Sequence, residues 1–182
     1  MPLHLTMGPM KSGKSLELVK IFSPLAHSDM RWVVVQPKLH DRETQVSSRA
    51  GASIQTTKVD RLDIDWLANY DVIGIDEVHM FGQDDLGALN SLLAKGLVIH
   101  AVGLDMDYRG RLIESTVALM ELGPTSVQCL IAVCDVCKSY EARFSQVLKD
   151  GKEVTGGLPS ILPEDGTYSY EARCRQCFVS AR

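Results

Sequence analysis

Eight residues near the N-terminus have the types and spacing to hold a phosphate: Gly8-Pro9-Met10-Lys11-Ser12-Gly13-Lys14-Ser15. The spacing is Gly, four residues, then Gly-Lys-Ser, the pattern of a loop that wraps a nucleotide phosphate in backbone N–H groups. Glycines at 8 and 13 let the backbone turn so that these groups face an anion. A helix starting at residues 13–15 adds unpaired N–H groups and the positive end of a dipole. Lys14 would reach the β- and γ-phosphates, and the Ser15 hydroxyl would bind Mg²⁺. A glycine-rich turn with a surface lysine is the plain alternative, but all eight positions and both flanks fit the phosphate reading.

Two further groups could do chemistry. Asp76-Glu77 closes the apolar run Val72-Ile73-Gly74-Ile75. An aspartate at such a strand end can hold Mg²⁺, directly or through water, and a glutamate beside it can deprotonate a hydroxyl. A solvated strand end with two capping acids is the alternative. The third group is Cys134, Cys137, Cys174 and Cys177, two C-x-x-C pairs. Four thiolates suit one tetrahedral Zn²⁺ with no open position, a structural rather than a catalytic site. Residues 138–173 make a longer spacer than a zinc ribbon requires, so that segment must serve another purpose too. Cys129 has no pairing partner and reads as a core residue. His40 and His79 lack metal-ligand spacing and read as loop histidines.

The elements that must position these groups follow from periodicity. Leu3–Met7 is a short strand ahead of the loop, and Leu16–Phe22 starts a helix with Leu16, Val19 and either Ile21 or Phe22 facing inward. Arg31–Gln36 and Leu97–Gly103 read as buried parallel strands. Residues 37–60 read as a long loop with a short strand near Ser53–Thr57, and Ile64–Tyr70 as a short helix. A helix with Asp84 or Asp85 as N-cap carries Leu86, Leu89, Leu92 and Leu93 on one face and ends before Gly96. Ser115–Leu122 is another helix, and Asp150-Gly151 marks a hairpin.

Strands alternating with helices predict an α/β fold: a P-loop nucleotide-binding domain with a mainly parallel central sheet over residues 1–125. Residues 126–182 would form a small C-terminal zinc-binding domain. In such sheets, ligands bind beyond the carboxyl ends of the strands, so Gly8–Ser15, Asp76-Glu77 and Asp105–Arg111 should converge on one crevice. Met10, Met80, Phe81 and Tyr108 lie beside those strand ends and suggest a small apolar pocket.

The bulk numbers suit a globular enzyme, with 45% hydrophobic and 23% charged residues. A net charge of −4 without a long basic run argues against an extended nucleic-acid surface. No apolar stretch reaches the roughly 20 residues of a membrane span. With a strand by residue 3 and cysteines in metal-type pairs, the chain reads as soluble and cytoplasmic.

Taken together, the motifs resemble the tetrameric, zinc-containing thymidine kinases of cellular type 1. The resemblance runs through Gly8–Ser15, Val46-Ser47-Ser48-Arg49-Ala50-Gly51, Ile75-Asp76-Glu77, Gly103–Gly110 and both cysteine pairs. It implies ATP as phosphoryl donor, thymidine (or deoxyuridine) as acceptor, Mg²⁺, structural Zn²⁺ and a homotetramer. Glu77 would be the base at the deoxyribose 5′-hydroxyl. Asp76, Val78 and His79 would join Gly8–Ser15 on the ATP·Mg²⁺ side. Met10, Met80, Phe81, Leu104, Tyr108 and Tyr170 would line the nucleoside pocket. Ile161, Leu162, Pro163, Glu164 and Asp165 would belong to a lasso loop closing over the base. The chain departs from the family pattern at His40 and Asp41, at His79 and Met80, at Leu112-Ile113 and across 161–166. Two other readings compete: a P-loop ATPase whose zinc module binds nucleic acid, and a nucleotide-binding regulator with altered catalysis.

Overall fold

The first apolar run, Leu3–Met7, forms strand β1, and helix α1 spans Lys14–Phe22 after the Gly8–Ser15 loop. The computed structural model describes residues 2–38, the backbone of 45–47, 53–162 and 166–180. The remaining elements of the large sheet and its covers are β2 (Trp32–Pro37), β3 (Gln45–Ser47), β4 (Ser53–Gln55), β5 (Thr57–Val59), α2 (Ile64–Leu67), β6 (Val72–Ile75), α3 (Gln83–Ala94), β7 (Val98–Gly103), α4 (Glu114–Glu121) and β8 (Ser126–Cys129). The C-terminal region adds β9 (Phe144–Lys149), β10 (Lys152–Glu153) and β11 (Ser169–Arg173).

Six strands form one sheet in the order β5-β2-β6-β7-β1-β8, every neighbouring pair parallel. The expected α/β architecture is present. Alternation along the strands feeds two cores. Leu3, Leu5, Met7, Ile73, Ile75, Ile99 and Ala101 join Leu67, Leu89, Leu92 and Leu119 of α2, α3 and α4 on one face. On the other, Val34, Val72 and Val102 pack with Leu18, Val19 and Phe22 of α1. A parallel strand buried on both faces must be apolar at every position, which is why β2, β6 and β7 lack polar alternation. Gly74 permits the close approach of α1: a Cβ there would meet the Phe22 ring at 2.8 Å.

Several local expectations need correction. Val19 and Phe22 are buried in α1 as expected, but Leu16 is exposed and Leu18 takes its place in the buried stripe. Gly82, not Asp84 or Asp85, is the N-cap of α3. Asp85 sits one turn in and accepts from the N–H groups of Gly82 (3.3 Å) and Leu62 (2.6 Å). The long connection after β2 contains the antiparallel ribbon β3–β4 as well as β5, which extends the main sheet. Cys129 is exposed: β8 is an edge strand, and all four of its residues are exposed. The main sheet also continues through Ser126–Cys129, four residues past the change of character at 125/126.

After β8 the chain enters a three-stranded antiparallel sheet in the order β10-β9-β11. Asp150 (φ 51°) and Gly151 (φ 73°) make the expected tight hairpin between β9 and β10. Consecutive positive φ values match the right-handed twist of the flanking strands. Ala132, Ala142 and Ala172 pack around Cys134 and Cys174 in a third, small core.

Candidate active site

The sheet order decides where the chemistry-bearing residues meet. β7 lies between β1, which carries Gly8–Ser15, and β6, which carries Asp76-Glu77. Two strand spacings, roughly 10 Å, therefore separate the two groups at the strand ends. That span suits a phosphate chain on one side and an acceptor hydroxyl on the other.

On the β1 side the loop turns through Lys11 (φ 65°) and Gly13 (φ 88°) before α1 begins. The Lys14 ammonium is buried and donates to the Pro9 carbonyl at 2.8 Å, folded over the loop. The Ser12 hydroxyl is buried and has no hydrogen-bond partner among the described residues. An orphaned hydroxyl in a loop of turned backbone is costly unless an anion or water satisfies it. The residues present thus fit a phosphate group and its Mg²⁺. Gly8 fits only as glycine, since a Cβ would stand 2.8 Å from the Leu130 carbonyl oxygen.

On the β6 side, Asp76 and Glu77 are both buried. Asp76 Oδ1 accepts the Glu77 N–H at 3.1 Å. Glu77 takes a left-handed conformation, φ 48° and ψ 43°, rare for a residue with a side chain. Holding it there costs on the order of 1 kcal/mol, and such strain concentrates where a side chain must be aimed. His79 Nδ1 lies 3.5 Å from Glu77 Oε2 and 3.2 Å from the Leu104 N–H, which donates to it in the Nε2-protonated tautomer. Ser115 and Thr116 of α4 tie the carbonyls of His79 and Leu104 in turn, at 2.9 and 3.1 Å.

Past the end of β7 lies a small cavity of about 30 Å³ lined by His79, Met80, Leu104, Tyr108, Ser145 and Tyr170 among others. The lining brings together Met80, Leu104, Tyr108, Ile161, Leu162 and Tyr170 of the expected nucleoside set. Phe81 is buried next door, in a hollow with Gly82 and Ile113. Met10 is buried and reaches the same neighbourhood through its N–H, which donates to Ser145 Oγ at 2.9 Å. Val78 is fully buried in the core beneath β6. Pro163, Glu164 and Asp165 lie outside the described residues, as do His40, Asp41 and Ser48–Gly51. Sequence reasoning missed Met106, Asp107, Ser145, Val147 and Ser160, which also line the cavity. Nothing in the pattern of β9 marked Ser145 and Val147, since residues 144–148 are all buried without alternation.

Tyr108 has a role that packing alone does not convey. Its phenol donates to the Leu158 carbonyl at 2.9 Å and accepts the Leu158 N–H at 3.0 Å. Arg109 Nη2 donates to Ser160 Oγ at 2.6 Å, its guanidinium anchored by Asp107. The Asp107 carboxylate holds the Arg109 guanidinium well above its usual pKa, so it stays charged. Residues 158–160 are thereby fastened to the turn that follows β7.

The four cysteines converge with their ligand atoms all within 4.8 Å of one another. Cys137 Sγ and Cys174 Sγ are 3.7 Å apart. Four sulfurs at ~2.3 Å from a tetrahedral zinc would be about 3.8 Å apart, so the cluster fits that ion. Burial pushes the Cys134 thiol up, but the N–H groups of Cys137, Cys174 and Val136 outweigh it and bring it down to about 6. Desolvation and the neighbouring cysteines push Cys177 up to about 12. Four thiolates at this spacing need a cation to coexist.

Comparison with known proteins places this geometry. A family model described as thymidine kinase matches residues 1–178. A thymidine kinase of Mycoplasma capricolum subsp. capricolum is 30% identical over 99% of this chain and 90% of its own length. One from Mesomycoplasma hyopneumoniae is 32% identical over 96% and 94%. Among solved structures, Bacteroides Pif1 bound to ssDNA matches with a TM-score of 0.35 at 14% identity. That match covers 66% of this chain but only 32% of Pif1, too weak a likeness to bear on function. With strand ends, cavity and cysteine cluster all within the matched span, the chain belongs to the thymidine kinase family.

Proposed function

We propose that this protein transfers the γ-phosphoryl group of ATP to the 5′-hydroxyl of thymidine. The observation that carries the reading is the bond from Met10 N–H to Ser145 Oγ, which makes the floor of the phosphate loop a neighbour of the cavity wall. A donor held by Gly8–Ser15 and an acceptor seated among the residues around that cavity, which would have to widen beyond its about 30 Å³ to admit a nucleoside, would share one crevice.

The residues have separable tasks. Backbone N–H groups of the loop, the Ser12 hydroxyl and Lys14 would hold the phosphates and stabilise charge on the transferring group. Ser15 and Asp76 would hold Mg²⁺, which when bound neutralises developing phosphate charge. Glu77, fixed by its left-handed backbone, would orient the 5′-hydroxyl and accept its proton. Met80, Leu104, Tyr108 and Tyr170 would enclose the base, and the segment fastened at Leu158 and Ser160 would exclude water. The cysteine cluster, with no open position, would serve structure through Zn²⁺. Exposed Leu112, Val117 and Met120 offer apolar surface for assembly of four copies.

ATP-dependent phosphorylation of thymidine, deoxyuridine and deoxycytidine tests the reading directly. Thymidine should be the preferred acceptor, with deoxyuridine second. A protein that phosphorylates no nucleoside but hydrolyses ATP when DNA is added would sink it.

A further inference from the structure

One ion pair crosses from the Gly8–Ser15 loop to the cysteine cluster. Lys11 Nζ lies 2.7 Å from Asp135 Oδ2. Asp135 stands between Cys134 and Cys137, and its position is set by the other cysteine-bearing segment. Its N–H donates to the Ala172 carbonyl at 2.8 Å, and its Oδ2 accepts the Ala172 N–H at 2.6 Å. Ala172 belongs to β11, which leads into Cys174. Asp135 is therefore where Lys11 finds it only while the two halves of the cluster are closed on each other.

The loop rests on the C-terminal region at three nearby points. Gly8 abuts Leu130, Met10 bonds Ser145, and Lys11 pairs with Asp135. Of the three, only the last is an ion pair, and its acid lies in sequence between two of the cysteines. Both side chains are about a quarter exposed, 28% and 27%, so solvent screens the pair incompletely. Lys11 also sits at φ 65°, a backbone conformation that needs support from its surroundings.

We propose that Asp135 is a positioning residue for the phosphate loop: through Lys11 it links nucleotide binding to metal retention at the four cysteines. The proposal rests on the reading that Gly8–Ser15 takes ATP and the cysteines take zinc. The closed cluster holds Lys11 and the loop in the nucleotide-receiving shape. By reciprocity of linked equilibria, bound nucleotide must then hold the cluster closed by the same factor.

The test uses the full zinc-loaded chain as wild type, Lys11→Met, Asp135→Asn and the double variant. Two quantities are measured: the dissociation constant for ATP·Mg²⁺, and the rate of zinc transfer to a chromogenic chelator with and without ATP·Mg²⁺. In wild type, ATP·Mg²⁺ should slow zinc release about threefold, the size expected of a partly exposed pair. Each single substitution should weaken ATP binding about threefold and abolish the nucleotide effect on zinc release. The double variant should be no worse than either single one, because one interaction is lost once. Asp135→Asn keeps an acceptor for the Ala172 N–H, and Lys11→Met lies outside the cluster, so a zinc-loaded Lys11→Met protein carries the test if the other variant loses its metal. Zinc release indifferent to ATP in wild type, additive substitutions, or tighter ATP binding in the variants would overturn the proposal. A wild-type chain that binds no ATP, or holds no zinc, would overturn the reading beneath it as well.

Discussion

The two sides of the crevice are built in different ways. The phosphate side is local: Gly8–Ser15 is one continuous stretch, and Asp76-Glu77 is one dipeptide at a strand end. The proposed nucleoside side is assembled from five distant stretches, around residues 79–80, 104–108, 145–147, 160–162 and 170. The first depends on backbone conformation, with Lys11, Gly13 and Glu77 at positive φ. The second depends on side chains fastening one segment to another, as Tyr108 and Arg109 fasten Leu158 and Ser160. A site made this way keeps the reaction constant in a rigid motif and leaves acceptor choice to a surface that can be altered piecemeal.

Substitution should separate the two sides. The largest effect is expected for Glu77→Gln, which removes the proposed proton acceptor. Turnover should fall about 10²- to 10⁴-fold while ATP affinity stays near wild type. A variant retaining most of its turnover would remove Glu77 from the reaction.

Metal removal comes next and should strike the nucleoside side first. Cys134 and Cys174 are buried at the centre of the small third core, where a chelated cluster leaves thiols with no cation between them. Chelation, or Cys174→Ser, should expose residues 134–178 to protease while the six-stranded sheet remains resistant. Uniform cleavage of both regions would show that they unfold as one unit.

Gly8→Ala probes the seam between the regions. The added Cβ meets backbone at 2.8 Å, so loop or connector must shift, at a cost of about 1–3 kcal/mol. Calorimetric titration should show ATP binding weakened about tenfold or more. Unchanged affinity would mean that the seam yields freely.

Tyr108→Phe keeps the ring and deletes both hydrogen bonds to Leu158. The expected loss is about 1–2 kcal/mol, read as a higher KM for thymidine with the KM for ATP unmoved. Equal rises in both constants would contradict the division of labour between the sides.

The smallest expected effect lies outside the crevice. His100 stacks on His4 and meets the edge of Phe22. Desolvation first, and the charge of His4 second, hold it down to about 4 from 6.5. The unfolded chain takes up that proton as pH falls through 6.5, whereas the folded chain does so only near 4. Its contribution to stability is complete above pH 6.5, declines as pH falls and is gone below 4. Thermal unfolding of wild type should therefore lose more between pH 6.5 and 4 than that of His100→Leu. Parallel curves would remove His100 from the acid response.

Much of the catalytic side was legible in the residues themselves. Strand β1, the loop, α1 and the Asp76-Glu77 strand end are short-range patterns, and short-range patterns survive in sequence. Where local expectation failed, tertiary contacts had overridden it. Leu16 lost its place to Leu18 because the sheet beneath α1 offers its surface to that stripe. Asp85 gave up the cap of α3 to bond Leu62 from outside the helix. Cys129 is exposed with the rest of β8, which lies uncovered at the edge of the sheet.

By itself, then, the sequence determined the parallel α/β class, the turned phosphate loop, the paired carboxylates and the four-cysteine set. Each is specified by residue type at fixed, short spacing. Only the tertiary structure decided that β7 separates the loop from the carboxylates and that Ser145 joins the loop to the cavity. It alone turned Tyr108 into the fastening of the 158–160 segment and set Asp135 against Lys11. Those outcomes depend on strand order and on contacts between residues from 50 to 135 positions apart, which no local spacing encodes.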